Sequence, residues 1–192
     1  MHFESKTQAV ELLKNIILVI ISPKVGWEEV NHTSIPTAKV RNNAFYPLLA
    51  MLAVACFVPM LYDKTITFAH SLMTGIVMSS SYFITYFICS YLLGGFYPEL
   101  VKTQAATGRL NDYIIYNLIF LVILLIIRFV LPGMFTPIYF LMAYMPYIAF
   151  RDLEYLVLKK HKEGKFLVIS SAMMLLLPQI IIWLLNMIIN NH

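Results

Sequence analysis

The sequence predicts an all-α fold, a polytopic membrane bundle of five transmembrane helices preceded by an amphipathic N-terminal helix that lies in the membrane interface. Three observations carry this expectation. Of 192 residues, 60% are hydrophobic and only 12% charged, against roughly 25% charged in soluble domains. The apolar residues gather in blocks of about 17 to 25, the length at which a helix crosses a hydrocarbon core roughly 30 Å thick. Lys and Arg flank those blocks and fall almost entirely on one side of the alternation.

Residues 6–22 open the chain as a helix. Gln8, Glu11, Lys14, Asn15 and Ser22 share one narrow face, with Val10, Leu12, Leu13, Ile16, Ile17, Val19 and Ile20 around the rest, so this helix is expected to lie in the interface. It is expected to remain uncleaved: the apolar run 16–21 is short, Glu4 and Glu11 precede it, and no small-residue cleavage site follows. Ser22-Pro23 is a cap-plus-first-position signal for a second short helix through Val30, whose Trp27 suits the headgroup level. A polar link, 31–43, leads into the membrane. Its Asn31-His32-Thr33 matches the glycosylation sequon but falls on the side assigned below as cytoplasmic. Residues 1–43 thus form a cytoplasmic, interfacial segment, and 44–189 the transmembrane domain.

The first span is expected at 44–62, with Pro47 in its first turn and Pro59 in its last. The second, 68–93, is long enough to tilt and is ended by Gly94-Gly95. The third is 113–131, and Pro132-Gly133 leaves room only for a tight turn into the fourth, 134–150, which carries Pro137 and Pro146. A basic loop, 151–165, precedes the fifth span, 166–189, interrupted by Pro178. Prolines inside spans free carbonyls that neighbouring helices must satisfy, so the helices are expected to pack as a bundle.

Orientation follows from counting, because cationic loops stay in the cytoplasm. With the N-terminus inside, Lys6, Lys14, Lys24, Lys39, Arg41, Lys102, Arg109, Arg151, Lys159, Lys160, Lys162 and Lys165 lie inside, and only Lys64 and Arg128 lie at or beyond the outer edge. The C-terminal Asn190-Asn191-His192 then ends outside. Removing one central span would move 151–165 across, so the bias also favours five spans.

Composition and spacing exclude most chemistry. The net charge of +4 comes without a basic, aromatic-studded groove, so no nucleic acid is expected. Cys56 and Cys89 sit alone inside apolar blocks, and His2, His32, His70, His161 and His192 are scattered. No metal, cofactor or catalytic residue is expected, since nucleophile-elbow, phosphate-loop and zinc-protease motifs are missing. No Asp or Glu is expected deep in a span, which argues against ion coupling.

Several residues stand out even so. Ser71, Gly75, Ser79, Tyr82, Tyr86 and Ser90 line one face of the second span; small-xxx-small spacing reads as a helix-packing face, with a polar groove for a lipid or partner helix as the alternative. Gln179 and Asn186 lie seven residues apart on the last span and read as interhelical hydrogen-bonding groups. Asn117 and Arg128 fall near one face of the third span; Arg128 is expected to snorkel outward, where Asp63 is the acidic candidate for an ion pair. Lys159, Lys160, Lys162 and Lys165 sit at the cytoplasmic surface, where each lysine contributes about 1 kcal/mol toward anionic lipid.

The order of parts resembles the bacterial branch of the Yip family, the Ypt-interacting or Rab-GTPase-interacting five-span membrane proteins. The matching pieces are the amphipathic N-terminal helix, Ile21-Ser22-Pro23 with Trp27 four residues on, a long second span ending Leu93-Gly94-Gly95, the Pro132 turn, and Pro178 in the last span. The resemblance runs from about Leu12 to Ile189. It implies a bacterial inner-membrane protein with a cytoplasmic N-terminus, no enzymatic activity, and homo- or hetero-association among membrane proteins and lipids. The N-terminal region is much reduced relative to the eukaryotic members, which argues against GTPase binding. A non-catalytic adaptor or organiser is therefore the leading expectation. The alternative is a small-solute or lipid transporter using the polar face of the second span and the broken fourth and fifth helices.

Overall fold

In a computed structural model, which describes residues 2–100, 107–131, 135–156, 158–159 and 161–190, the described chain is helical and contains no strand. Helices α1 (His2–Ile21) and α2 (Pro23–Thr33) form a hairpin. Ser22 stands at the N-cap position and Pro23 opens the helix as expected, but the Ser22 hydroxyl makes no capping bond. Gly26 sets the closeness of the hairpin: a Cβ there would run into the backbone at Leu18 and Val19.

The predicted polar link shrinks to 34–36. Helix α3 (Thr37–Val40) passes through a π-helical turn, Arg41–Phe45, into α4 (Tyr46–Ala55), and a 3₁₀ turn, Val58–Leu61, ends this first long element. Helix α5 (Phe68–Leu100) runs straight through Gly94 and Gly95, so the predicted stop there is corrected. Glycine lowers helix stability by only about 1 kcal/mol per residue, and Leu93, 2% exposed, anchors the helix just before the pair. Helix α6 (Thr107–Val130) follows.

The predicted fourth span is corrected to two eight-residue helices, α7 (Phe135–Met142) and α8 (Met145–Asp152). Proline lacks an amide hydrogen and clashes with the carbonyl four residues earlier. For Pro146 that residue is Met142, the last of α7. The Pro132-Gly133 turn lies outside the described residues. Helix α9 (Glu163–Asn190) is continuous through Pro178, which corrects the predicted interruption.

Four stretches are long and apolar enough to cross a membrane, Thr37–Leu61, Phe68–Gly95, Gly108–Val130 and Glu163–Ile189, and by length and composition the chain is an integral membrane protein. Helix α6 is the hub. It is the most apolar span, is 67% buried against 17% for α9, and packs on α4, α5, α7, α8 and α9, as a helix apolar on every side must. The N-terminal hairpin joins the same core, since Leu12, Ile16, Val19, Trp27 and Val30 are buried with the residues of α6.

Candidate functional site

Buried polar groups concentrate where the N-terminal hairpin meets α6 and α8. Arg109, Asp112, Tyr113 and Tyr116 recur at three- and four-residue spacing along the first turns of α6, which places them on one face. Trp27, fully buried, donates from Nε1 to the Ile148 carbonyl of α8 at 2.9 Å and sets its ring edge-on to Tyr116 at 5.5 Å. The expected placement of Trp27 among lipid headgroups is thereby corrected. The indole's one donor reaches the carbonyl of a neighbouring helix, and its ring is enclosed by the chain.

The polar face predicted for α1 turns partly inward for the same reason. Asn15, 1% exposed, donates to Thr33 Oγ1 at 2.8 Å, and Thr33 donates to the Glu29 carbonyl. On the outer edge of the hairpin Lys14 meets Glu29 at 2.7 Å and holds the Glu29 carboxyl below its usual range. Thr37, at the head of α3, donates to Asp112 at 2.6 Å. Tyr113 and Ser170 share a 2.6 Å hydrogen bond that ties α6 to α9.

The centre of the junction is Arg109–Asp152. A guanidinium nitrogen lies 3.3 Å from Asp152 Oδ1, with Asp152 fully enclosed and Arg109 21% exposed. Arg109 Nε and Asp152 Oδ2 meet no further partner among the described residues, and the guanidinium also covers the Tyr155 ring at 5.7 Å. Removing two charges from water costs more than one long contact returns. Within the predicted basic loop 151–165, Asp152, Leu153, Leu156 and Leu158 are buried.

The predicted site residues are not brought together. Lys159, Lys162 and Lys165 are exposed near the start of α9, and Lys160 lies outside the described residues. Ser71 is buried, Gly75 backs onto Ala53 of α4 with room for no Cβ at ordinary distance, and Ser79 donates to the Gly75 carbonyl. Tyr82 and Tyr86 are buried, Tyr86 against Phe45 at 5.5 Å. A groove of about 350 Å³ opens beside this face, lined by Tyr46, Ala50, Ala53, Ser79, Ser80 and Phe83. Asp63 accepts from the amide and hydroxyl of Thr65, which lower its pKa, while Arg128 lies 5.8 Å from the Phe129 ring; neither contact involves the other residue. Gln179 and Asn186 face outward from α9, away from the helices of their own chain.

The signal for the junction was present in the sequence as the Arg109, Asp112, Tyr113, Tyr116 stripe opening a span. Asp152 carried no comparable signal, because it follows Arg151 in what reads as a charged loop. Among the described residues no three His, Cys, Asp or Glu side chains converge on a point where a metal could sit. Searches with this chain find no matching family model, curated protein or solved structure.

Proposed function

We propose that this chain is a non-catalytic five-span adaptor or organiser of the Yip-like type, which associates through its spans and meets the cytoplasmic leaflet through its N-terminal hairpin and basic loop. The observation that carries this reading is the hairpin itself. Asn15 closes it on itself and Trp27 pins it to the bundle, while Val10, Leu13, Ile17 and Ile21 of α1 stay exposed. An outward apolar face on a helix fixed at one end of a membrane bundle suits insertion at the headgroup–acyl boundary. A groove of about 350 Å³ between α1 and α4, lined by Leu12, Leu13, Ile16, Pro47 and Met51, offers space for an acyl chain beside it.

The fourth span in this reading is α7 and α8 taken together. Each is about 12 Å long, too short to cross alone. The start of α6, the end of α8 and the start of α9 meet at Arg109–Asp152 and Tyr113–Ser170, whereas Tyr62, after α4, reaches the Val130 carbonyl at the far end of α6. Such grouping favours a chain that crosses back once between the end of α6 and the start of α9. The cationic bias then puts the hairpin in the cytoplasm and the C-terminus outside, in a bacterial inner membrane.

The test is purification in native lipid followed by mass spectrometry of what accompanies the chain. The adaptor reading expects a membrane-protein partner, this chain or another, in fixed ratio. A stoichiometric small solute held among the spans, with the chain monomeric, would overturn it in favour of transport.

A further inference from the structure

Helix α9 has two faces of opposite character. Phe166, Ser170, Met174, Pro178 and Ile181 are buried on the side that packs along α5. On the opposite side Ile169, Leu176, Gln179, Trp183 and Asn186 are exposed and Ala172 is half-buried. The successive steps along this second row are three, four, three, four and three residues. That is the alternation of a heptad seam, by which one helix meets another along its length. Leu176 is 58% exposed and Trp183 64%, so the seam is open.

Two members of the seam do not suit lipid. Gln179 lies about 24 Å along a helix of about 42 Å, well inside the apolar stretch, and among the described residues neither its amide nor that of Asn186 meets a hydrogen-bond partner. A hydrocarbon chain offers no donor or acceptor to either. A carboxamide both donates and accepts, so it is complementary to a copy of itself.

We infer that α9 is a self-association surface, on which a second copy of this chain packs in parallel with Gln179 facing Gln179 and Asn186 facing Asn186. Two copies inserted in one orientation are related by an axis along the membrane normal, so each residue meets its own counterpart at the same depth. Polar residues in a heptad seam fix register and partner number, and two amides one heptad apart fix the register twice. Pro178 leaves the Met174 carbonyl without its helical donor, but it lies on the α5 side and does not interrupt the seam. The inference rests on the association reading above and narrows its partner to the chain itself.

The experiment is disulfide cross-linking of the full chain in native membranes. Cys56→Ala and Cys89→Ala remove the background thiols, and thermal unfolding first checks that the bundle survives these changes. Trp183→Cys is then compared with Leu184→Cys, a neighbour at almost the same depth and about 100° around the helix. The seam predicts at least tenfold more covalent dimer at 183 than at 184. Gln179→Leu combined with Asn186→Leu should lower the yield at 183 about tenfold without changing thermal stability of the monomer. Equal cross-linking at 183 and 184, or a yield unaffected by the two leucines, overturns the inference. Cross-linking of 183 to a different membrane protein overturns it too, but leaves the adaptor reading standing; a monomer with no protein partner removes both.

Discussion

At Gly26 and Trp27 single atoms govern how the hairpin sits, and at Asp152 one carboxyl ties α8 to α6. Asp152 is the ion-pair partner of Arg109 across α6 and α8, and Asp152→Ala, which leaves the guanidinium without it, should cost about 3–5 kcal/mol, read as a lowered thermal midpoint in lipid or detergent; an unchanged midpoint would remove the pair from the account. Gly26→Ala forces backbone apart between α1 and α2 and should cost about 1–3 kcal/mol, measurable as a lowered midpoint. Trp27→Phe keeps the ring but deletes the donor to Ile148, for about 1 kcal/mol, while Trp27→Ala should cost about 3–5 kcal/mol by opening a cavity.

The helices differ in how readily a sequence gives them away. Apolar blocks locate the long helices because lipid imposes a length, and the π turn and the α7–α8 break escape the pattern because both are local backbone events inside apolar runs. Pro146 was placed inside one span whose helix was read as broken, and its clash with Met142 marks where α7 ends. Gly94 and Gly95 invite the opposite error, since glycine weakens a helix without stopping it. A Cβ added at either meets nothing within 4 Å, so Gly94→Ala and Gly95→Ala should each raise stability by up to about 1 kcal/mol. If either lowers the midpoint, this part of α5 depends on something other than its own helicity. Trp27 was singled out from sequence for the right prominence and the wrong surroundings, because its partner lies 121 residues away and local pattern carries no knowledge of such distance.

For the molecule as a whole, the two countings of spans make opposite statements about its ends. Five passes put the N- and C-termini on opposite sides, and four put them together. Topology reporters fused at each end decide between them: the five-span reading expects a cytoplasmic signal at the N-terminus and an external one at the C-terminus, and two like signals would assign α7 and α8 to one side of the membrane. Membrane residence itself was legible from composition. The enclosed pair Arg109–Asp152 was not, because burial of a charge is settled by helices that arrive from elsewhere in the chain.

The bond from Trp27 to Ile148 also sets a schedule. The acceptor is translated 121 residues after the indole, a wait of about 6–24 s at about 5–20 residues per second. Through that interval the indole nitrogen lacks the acceptor it has in the finished fold, while α1 already has α2 to pack on and the ring gains Tyr116 before α8 exists. The hairpin therefore closes on itself before it is locked to α8, and the lock waits for the chain that follows α6.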